Sequence, residues 1–185
     1  MLRDTLVYDR TEADWQRLAA LEAKPFESWT PADMDYWLNG GGANLYALDG
    51  QLYALDGALT VRDGVVRGAY NHTDYNRVGL AVLCLVELFR QYGYWPQVAP
   101  KTDWTTLDMP TPEQRERYLA DVQTLRGLLP LLPNTPPVPN DWNSPKWDKA
   151  NDIERILVNI ETVIGLIPAA FRRCGTFNSG MEGIL

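Results

Sequence analysis

The chain has little of what metal and cofactor chemistry requires. It contains one histidine, His72, and two cysteines, Cys84 and Cys174, in 185 residues. A histidine-metal site needs several imidazoles, and any catalytic triad would have to include His72. The two cysteines have no ligand-type neighbours, so they form neither a metal spacing nor a disulfide framework, although their pairing with each other stays open. We therefore expect no bound metal and no cofactor.

Basic residues are also in the minority. The 17 lysines and arginines face 24 acids, which gives a net charge of −7, and the one adjacent basic pair is Arg172-Arg173. Nucleic-acid binding requires a clustered basic surface, so nucleic acid is excluded as a main partner. The longest apolar run, residues 80–86, is too short to cross a bilayer, and the N-terminus lacks a signal-peptide core. We expect synthesis in the cytoplasm and no membrane insertion.

What the chain does have is helical periodicity. In three stretches an arginine is followed by an apolar residue, and further apolar residues lie four and seven positions after that one. This spacing places the apolar residues on one helical face. The arginines are Arg77, Arg117 and Arg155, about forty residues apart, within the range of duplicated supersecondary units. Acids three residues earlier, Asp74 and Asp152, suit same-face ion pairs; alternatively the arginines reach connector carbonyls. Either use is structural.

The pattern predicts a mainly α fold. We expect a small bundle of three main helices, about 74–92, 112–129 and 147–164 or 147–167, preceded by short N-terminal helices. Three Asp-Gly dipeptides, at Asp49, Asp56 and Asp63, predict an inserted short antiparallel β-meander, because Asp-Gly favours hairpin turns. The alternative explanation is a recent duplication with no function of its own. The expected units are 1–43 (helical segment), 44–67 (β-meander) and 68–185 (bundle with an extended tail).

Candidates for catalysis are few. His72 lies beside a predicted helix cap, which suits a capping or surface role. Two acids among Asp74, Asp103, Asp108 and Glu154 could form a glycosidase-like pair, and Asp103 with Glu154 would be the pair of a glycan or peptidoglycan hydrolase. Asp74 and Asp108 read more simply as helix-start acids and Asp103 as a turn cap. The sequence therefore predicts no catalytic residue and no enzyme.

Aromatic residues are the candidates for an interaction surface. Several lie in predicted connectors or in the meander: Tyr46, Tyr53, Trp95, Trp104, Trp142 and Trp147. Exposed, they would contact protein partners or stack on sugars; buried, tryptophans beside prolines would be core residues.

A set of motifs resembles a known family. Residues 68–78, Tyr92-Gly93-Tyr94, the Lys101-Thr102-Asp103-Trp104 connector, a Pro-Thr helix start, a proline-rich crossover and residues 150–157 resemble tail-associated structural proteins from phages and prophages of Gram-positive bacteria. The resemblance covers about residues 68–167, with the meander as an insertion. It implies a virion component near the tail tip or baseplate, with no catalytic residues to transfer. We predict structural roles for Asn71, Asp74, Arg77, Asp103, Arg117 and Arg155.

The functional prediction is therefore a non-enzymatic phage or prophage virion protein of the tail. Its expected partners are other tail or baseplate proteins, and self-association as a homo-oligomer stays open. The alternative is a carbohydrate-binding host-recognition module in which the connector tryptophans stack on cell-wall glycan.

Overall fold

The computed structural model describes residues 1–33, 36, 70–105, 107–143 and 145–174, with side chains as far as residue 169. Four α-helices have both ends among these residues: α1 (Glu12–Glu22), α2 (His72–Gln91), α3 (Pro112–Arg126) and α4 (Trp147–Cys174). Residues 31–33 and 36 are helical as well. Two 3₁₀ turns, Leu2–Asp4 and Phe26–Ser28, flank α1.

The predicted fold class is confirmed as helical but is wrong in its β component. None of the described residues forms a strand. The apolar entry segment around Val7 has no regular secondary structure, and the Val7 N–H donates to the Glu154 side chain of α4. Glu154 of α4 therefore accepts the hydrogen bond that a neighbouring strand would accept in a sheet. The predicted β-meander at 44–67 lies outside the described residues, and so do Tyr46 and Tyr53.

Helix starts follow the sequence closely. Thr11, Asn71 and Thr111 are the N-caps of α1, α2 and α3, and each forms a capping box with the residue three positions later. Pro112 occupies the first turn of α3, where its missing N–H removes no helical hydrogen bond. These caps satisfy amide groups that the first turn leaves without partners. Local chemistry alone thus fixes where the helices begin.

The end of α4 differs from the prediction. We expected it to stop at Ile164 or Ile167, but it continues through Pro168 to Cys174. A proline inside a helix removes one backbone hydrogen bond, and it does not end this helix.

The core lies between α2, α3 and α4. Val78, Leu85 and Phe89 of α2 are fully buried, as are Val122 and Leu125 of α3. The α4 residues of this core recur at helical spacing: Ile153, Ile156, Leu157, Ile160 and Ile164. A separate small cluster joins Leu18 and Leu21 of α1 to Tyr36.

Residues 92–110 form a connector that returns along α2. The amide N–H of Trp104 donates to Asn76, and Lys101 lies against Gly79, so the connector runs opposite to the helix. α3 therefore starts beside the beginning of α2 and runs in the same general direction. A helix of 20 residues is about 30 Å long, and only a long extended connector can span that distance.

The proline-rich second connector, residues 127–146, repeats this arrangement on α4. Thr135 accepts a hydrogen bond from Asn159, and Asp141 pairs with Lys149, so this connector also runs opposite to its helix. The three main helices thus share one direction, with their N-termini at one end of the bundle. This confirms that the second connector crosses over the bundle.

Candidate functional site

Four charged side chains meet in the interior, and we call them the ionic quartet: Arg10, Asp74, Arg77 and Glu154. All four are at least 95% buried. Arg10 Nη2 lies 2.9 Å from Asp74 Oδ1 and 3.0 Å from Glu154 Oε1, while Arg77 bonds the same two carboxylates. Two cations thus face two anions, so the quartet is neutral.

Backbone groups complete the quartet and tie the N-terminal segment to α4. The side chain of Asn151 accepts from the Arg10 N–H at 3.0 Å and donates to the Arg10 carbonyl at 2.8 Å. Arg10 also donates to the Val7 carbonyl. Burial alone would lower the pKa of Arg77, but the adjacent Glu154 and Asp74 more than offset this and raise it. Such an arrangement holds the N-terminal segment and α4 together.

An aromatic cluster packs beside the quartet. Four pairs of rings have centroid distances of 5.1–5.3 Å: Tyr70–Tyr75, Tyr70–Trp142, Tyr75–Tyr118 and Tyr118–Trp142. Trp142 Nε1 donates to the Tyr75 hydroxyl at 2.9 Å, and the Tyr70 and Tyr118 hydroxyls share a hydrogen bond. Burial raises the pKa of both Tyr70 and Tyr118 well above the usual value. These phenols are therefore neutral packing groups.

The predicted interaction tryptophans have three different environments. Trp104 and Trp142 belong to the core, with 7% and 2% of their surface exposed. Trp147 is half-buried, and its Nε1 donates to Glu12 at 2.7 Å. Trp95 is 69% exposed, with the Arg90 guanidinium 5.8 Å from its ring centre. The four side chains therefore do not form one stacking surface.

Exposed aliphatic side chains that the sequence did not single out lie near the start of α3. Leu107 and Met109 are 91% and 87% exposed, and we call residues Leu107–Met109 the apolar turn. Three hydrogen bonds between Thr105 and the Leu107 and Asp108 positions hold it, and Lys101 pairs with Asp108 at 3.5 Å. The backbone is thus fixed while both apolar side chains face solvent.

The residues predicted to have structural roles also differ in burial. Asn71 caps α2, and Asp74 and Arg77 belong to the quartet. Arg117 is exposed, and Arg155 donates to the Tyr8 carbonyl at 3.2 Å from an exposed position. The three repeated arginines are therefore not equivalent, because their helices pack different faces inward.

Asp103 and Glu154, the acids considered for a hydrolase, do not share a cleft. Glu154 is fully buried between two arginines, whereas Asp103 is 84% exposed and pairs with Lys101 at 3.2 Å. His72 lies in the first turn of α2, where burial lowers its pKa and the nearby Asp74 and Asp108 partly offset that effect. The Asp108 side chain accepts a hydrogen bond from the Thr105 N–H next to the apolar turn. Each of these groups thus has a structural setting.

A cavity of about 250 Å³ opens between α2, the first connector and α3. Its walls include Val78, Val82, Trp104 and Tyr118, and Asp121 lines it as an acid with 6% exposure. Asp121 Oδ1 accepts from the Ala99 N–H at 3.4 Å. The sequence analysis did not single out Asp121. Its position directly before Val122, a core residue of α3, could have indicated that its carboxylate is buried.

Within the described ranges there is no group of three or more residues suited to a metal ion, and no helix combines the length and apolarity to cross a membrane. Comparisons with protein-family models, with curated proteins and with solved structures found no match.

Proposed function

We propose that this protein is a non-enzymatic structural component of a phage or prophage virion, located at the tail tip or baseplate, where it docks to other tail subunits. The resemblance of residues 68–167 to tail-associated proteins supports the location. The observation that carries the docking role is the apolar turn, where Leu107 and Met109 are 91% and 87% exposed on a backbone that hydrogen bonds hold.

Two further features favour an assembly role. A fixed apolar turn can enter a partner pocket with little loss of backbone entropy, and methionine and tryptophan are enriched in protein interfaces. Asp74 and Glu154, two of the four acids considered for a glycosidase-like pair, are enclosed in the neutral quartet. Asp103 and Asp108 beside the turn are both paired with Lys101.

The first experiment follows the protein in particles. The prophage is induced in a host that carries this gene, particles are banded on a density gradient, and the fractions are probed with an antibody to this chain. We expect signal in the particle band and gold label at the tail tip. Signal confined to the soluble fractions, or normal tails after deletion of the gene, would overturn the proposal.

A variant pair tests the docking surface. The deletion strain is complemented with Leu107→Ser/Met109→Ser, and we expect incorporation into particles to fall about tenfold, since interface anchors carry most binding energy. The matched control is Leu166→Ser, which changes an aliphatic residue of α4 that is 55% exposed. Equal loss with the control, or none with the double variant, would contradict docking through the turn.

The carbohydrate-binding alternative is tested by the same protein. Of the four candidate tryptophans, Trp95 is the most exposed and Trp104 and Trp142 are buried. Under the docking proposal Trp95 does not stack on sugar, and titration with wall polysaccharide should leave the tryptophan fluorescence unchanged. Quenching that Trp95→Ala removes would replace docking to tail subunits with host-sugar recognition.

A further inference from the structure

The apolar turn borders a cavity that is large enough to hold its side chains. Lys101 and Gln114 line the cavity and lie on either side of the turn in the sequence, and Lys101 pairs with Asp108 of the turn at 3.5 Å. The cavity measures about 250 Å³, whereas an apolar cavity of roughly 150 Å³ already holds a benzene-sized molecule. The turn and the cavity are therefore neighbours in one region of the surface.

Apolar groups make up much of the cavity wall. Ala99 and Pro100 of the first connector and Tyr118 of α3 line it, and each of these residues is exposed or half-buried. Val78 and Val82 lie behind them and already belong to the core. Apolar surface gains free energy when it leaves water, so such a wall suits an apolar side chain.

Leu107 and Met109 do not fill the cavity of their own chain. They are 91% and 87% exposed, so neither side chain packs against the wall. The hydrogen bonds from Thr105 hold the backbone of the turn in this position. An exposed apolar projection and an unfilled apolar cavity thus lie side by side, and a second copy of the chain presents the same two features.

The charges beside the two features are complementary between copies. Asp103 and Asp108 share the single ammonium of Lys101, so the group beside the turn carries a net charge of −1. Arg117 lines the cavity and is exposed, and no ion pair among the described residues includes it. Asp121 of the cavity is only 6% exposed, so the charge at the mouth is mainly that of Arg117. Opposite charges at the rim of a contact favour one orientation of the partners.

We propose that the partner of the apolar turn is a second copy of this chain: Leu107 and Met109 of one copy enter the cavity of the other, and the reciprocal contact forms at the same time. A twofold contact of this kind requires a projection and a complementary cavity on one surface. The inference rests on the docking role proposed for the turn and names its partner. The contact is small, so we expect a dissociation constant in the micromolar range.

Sedimentation equilibrium of the full chain, from about 1 μM to about 500 μM, measures this association. We expect a monomer–dimer equilibrium that Leu107→Ser/Met109→Ser weakens at least about tenfold, because interface anchors carry most of the binding energy. Ala99→Phe places a ring at an exposed position of the cavity wall and should weaken it as much, although the turn is intact. Leu166→Ser, which changes an exposed residue of α4, is the control and should leave the dimer unchanged.

Mixing the two variants tests whether the contact is reciprocal. The turn variant keeps an open cavity and Ala99→Phe keeps an intact turn, so a mixed dimer regains one of the two contacts. With one variant carrying a fluorophore, the mixed dimer should be tighter than either variant alone and weaker than the unaltered dimer. If the two turns packed against each other instead, Ala99→Phe would associate normally, which would overturn the inference.

Charge reversal tests the orientation of the copies. Arg117→Glu places like charges opposite each other and should weaken the dimer about fivefold. Arg117→Glu/Asp103→Arg restores opposite charges across the contact and should recover most of this loss. A double variant as weak as Arg117→Glu would contradict the proposed orientation.

The remaining outcomes separate this inference from the proposed function. A monomer at every concentration would mean that something else covers the turn, and it would overturn the inference, as would a trimer or larger ring. If such a monomer still needs Leu107 and Met109 to enter particles, docking to other tail subunits stands. A dimer with the expected variant effects that is absent from particles would refute the virion role and leave the self-association intact.

Discussion

The Cα of Gly79 lies so close to Lys101 that a Cβ at this position would be 2.7 Å from the Lys101 carbonyl oxygen. α2 and the first connector therefore pack backbone against backbone. This contact positions Trp104 over the core and forms one side of the cavity.

Replacing this glycine should separate the two segments. We expect Gly79→Ala to lower the free energy of unfolding by about 1–3 kcal/mol, because the carbonyl that it meets belongs to the backbone and cannot rotate away. Gly165→Ala is the matched control: it meets nothing within 4 Å and should gain about 0.5–1 kcal/mol through helix propensity. Urea denaturation measures both, and a stabilised Gly79→Ala variant would disprove the close contact.

The ionic quartet should respond strongly to the loss of one member. Glu154→Gln leaves Arg10 and Arg77 facing a single carboxylate, and breaking a buried ionic cluster in this way costs about 3–5 kcal/mol. Glu87→Gln removes a pair of the same type, but Glu87 is 66% exposed and we expect a change of about 0–1 kcal/mol. Thermal denaturation of both variants compares the two losses. Equal losses would show that the quartet is no more stabilising than a surface pair.

The different burial of Trp142 and Trp95 predicts unequal losses of stability when each is replaced. Trp142→Ala should destabilise the protein by about 3–5 kcal/mol, because it opens a large space between Tyr70 and Tyr118. Trp95→Ala should change stability by no more than about 0.5 kcal/mol, since this ring faces solvent. Urea midpoints test this, and a large loss at Trp95 would mean that its ring is buried by a further contact.

Asp121 should make stability depend on pH in a defined direction. Its pKa is raised in the folded protein, so its stabilising contribution is complete below the usual value near 3.8 and is lost as the pH rises through the folded pKa. Asparagine resembles the protonated acid. Asp121→Asn should therefore be more stable than the unaltered protein at pH 7 and equal to it at pH 3. A constant difference across this range would show that ionisation of Asp121 costs nothing.

How much the sequence predicts depends on whether the cause is local. The capping boxes at Thr11, Asn71 and Thr111 involve residues three positions apart, so the helix starts could be read directly. The ion pair of Asp74 with Arg77 could be read for the same reason.

Features that depend on the path of the connectors could not be read in this way. Trp95 and Trp104 both lie in the first connector, and the return of this connector along α2 buries Trp104 while Trp95 stays exposed. The role of Glu154 depends on Arg10, 144 residues away. The repeated arginine pattern was therefore informative about helices but not about which arginine would be buried.

The quartet also orders events during synthesis. Arg10, Asp74 and Arg77 leave the ribosome long before Glu154, which lies 77 residues after Arg77. Until then two arginines share one acid, and the N-terminal segment lacks the α4 groups that hold Val7 and Arg10. At about 5–20 residues per second, this interval lasts several seconds. The nascent chain therefore stays incompletely folded for that time. Chaperones that bind exposed apolar segments can bind it before α4 emerges from the ribosome.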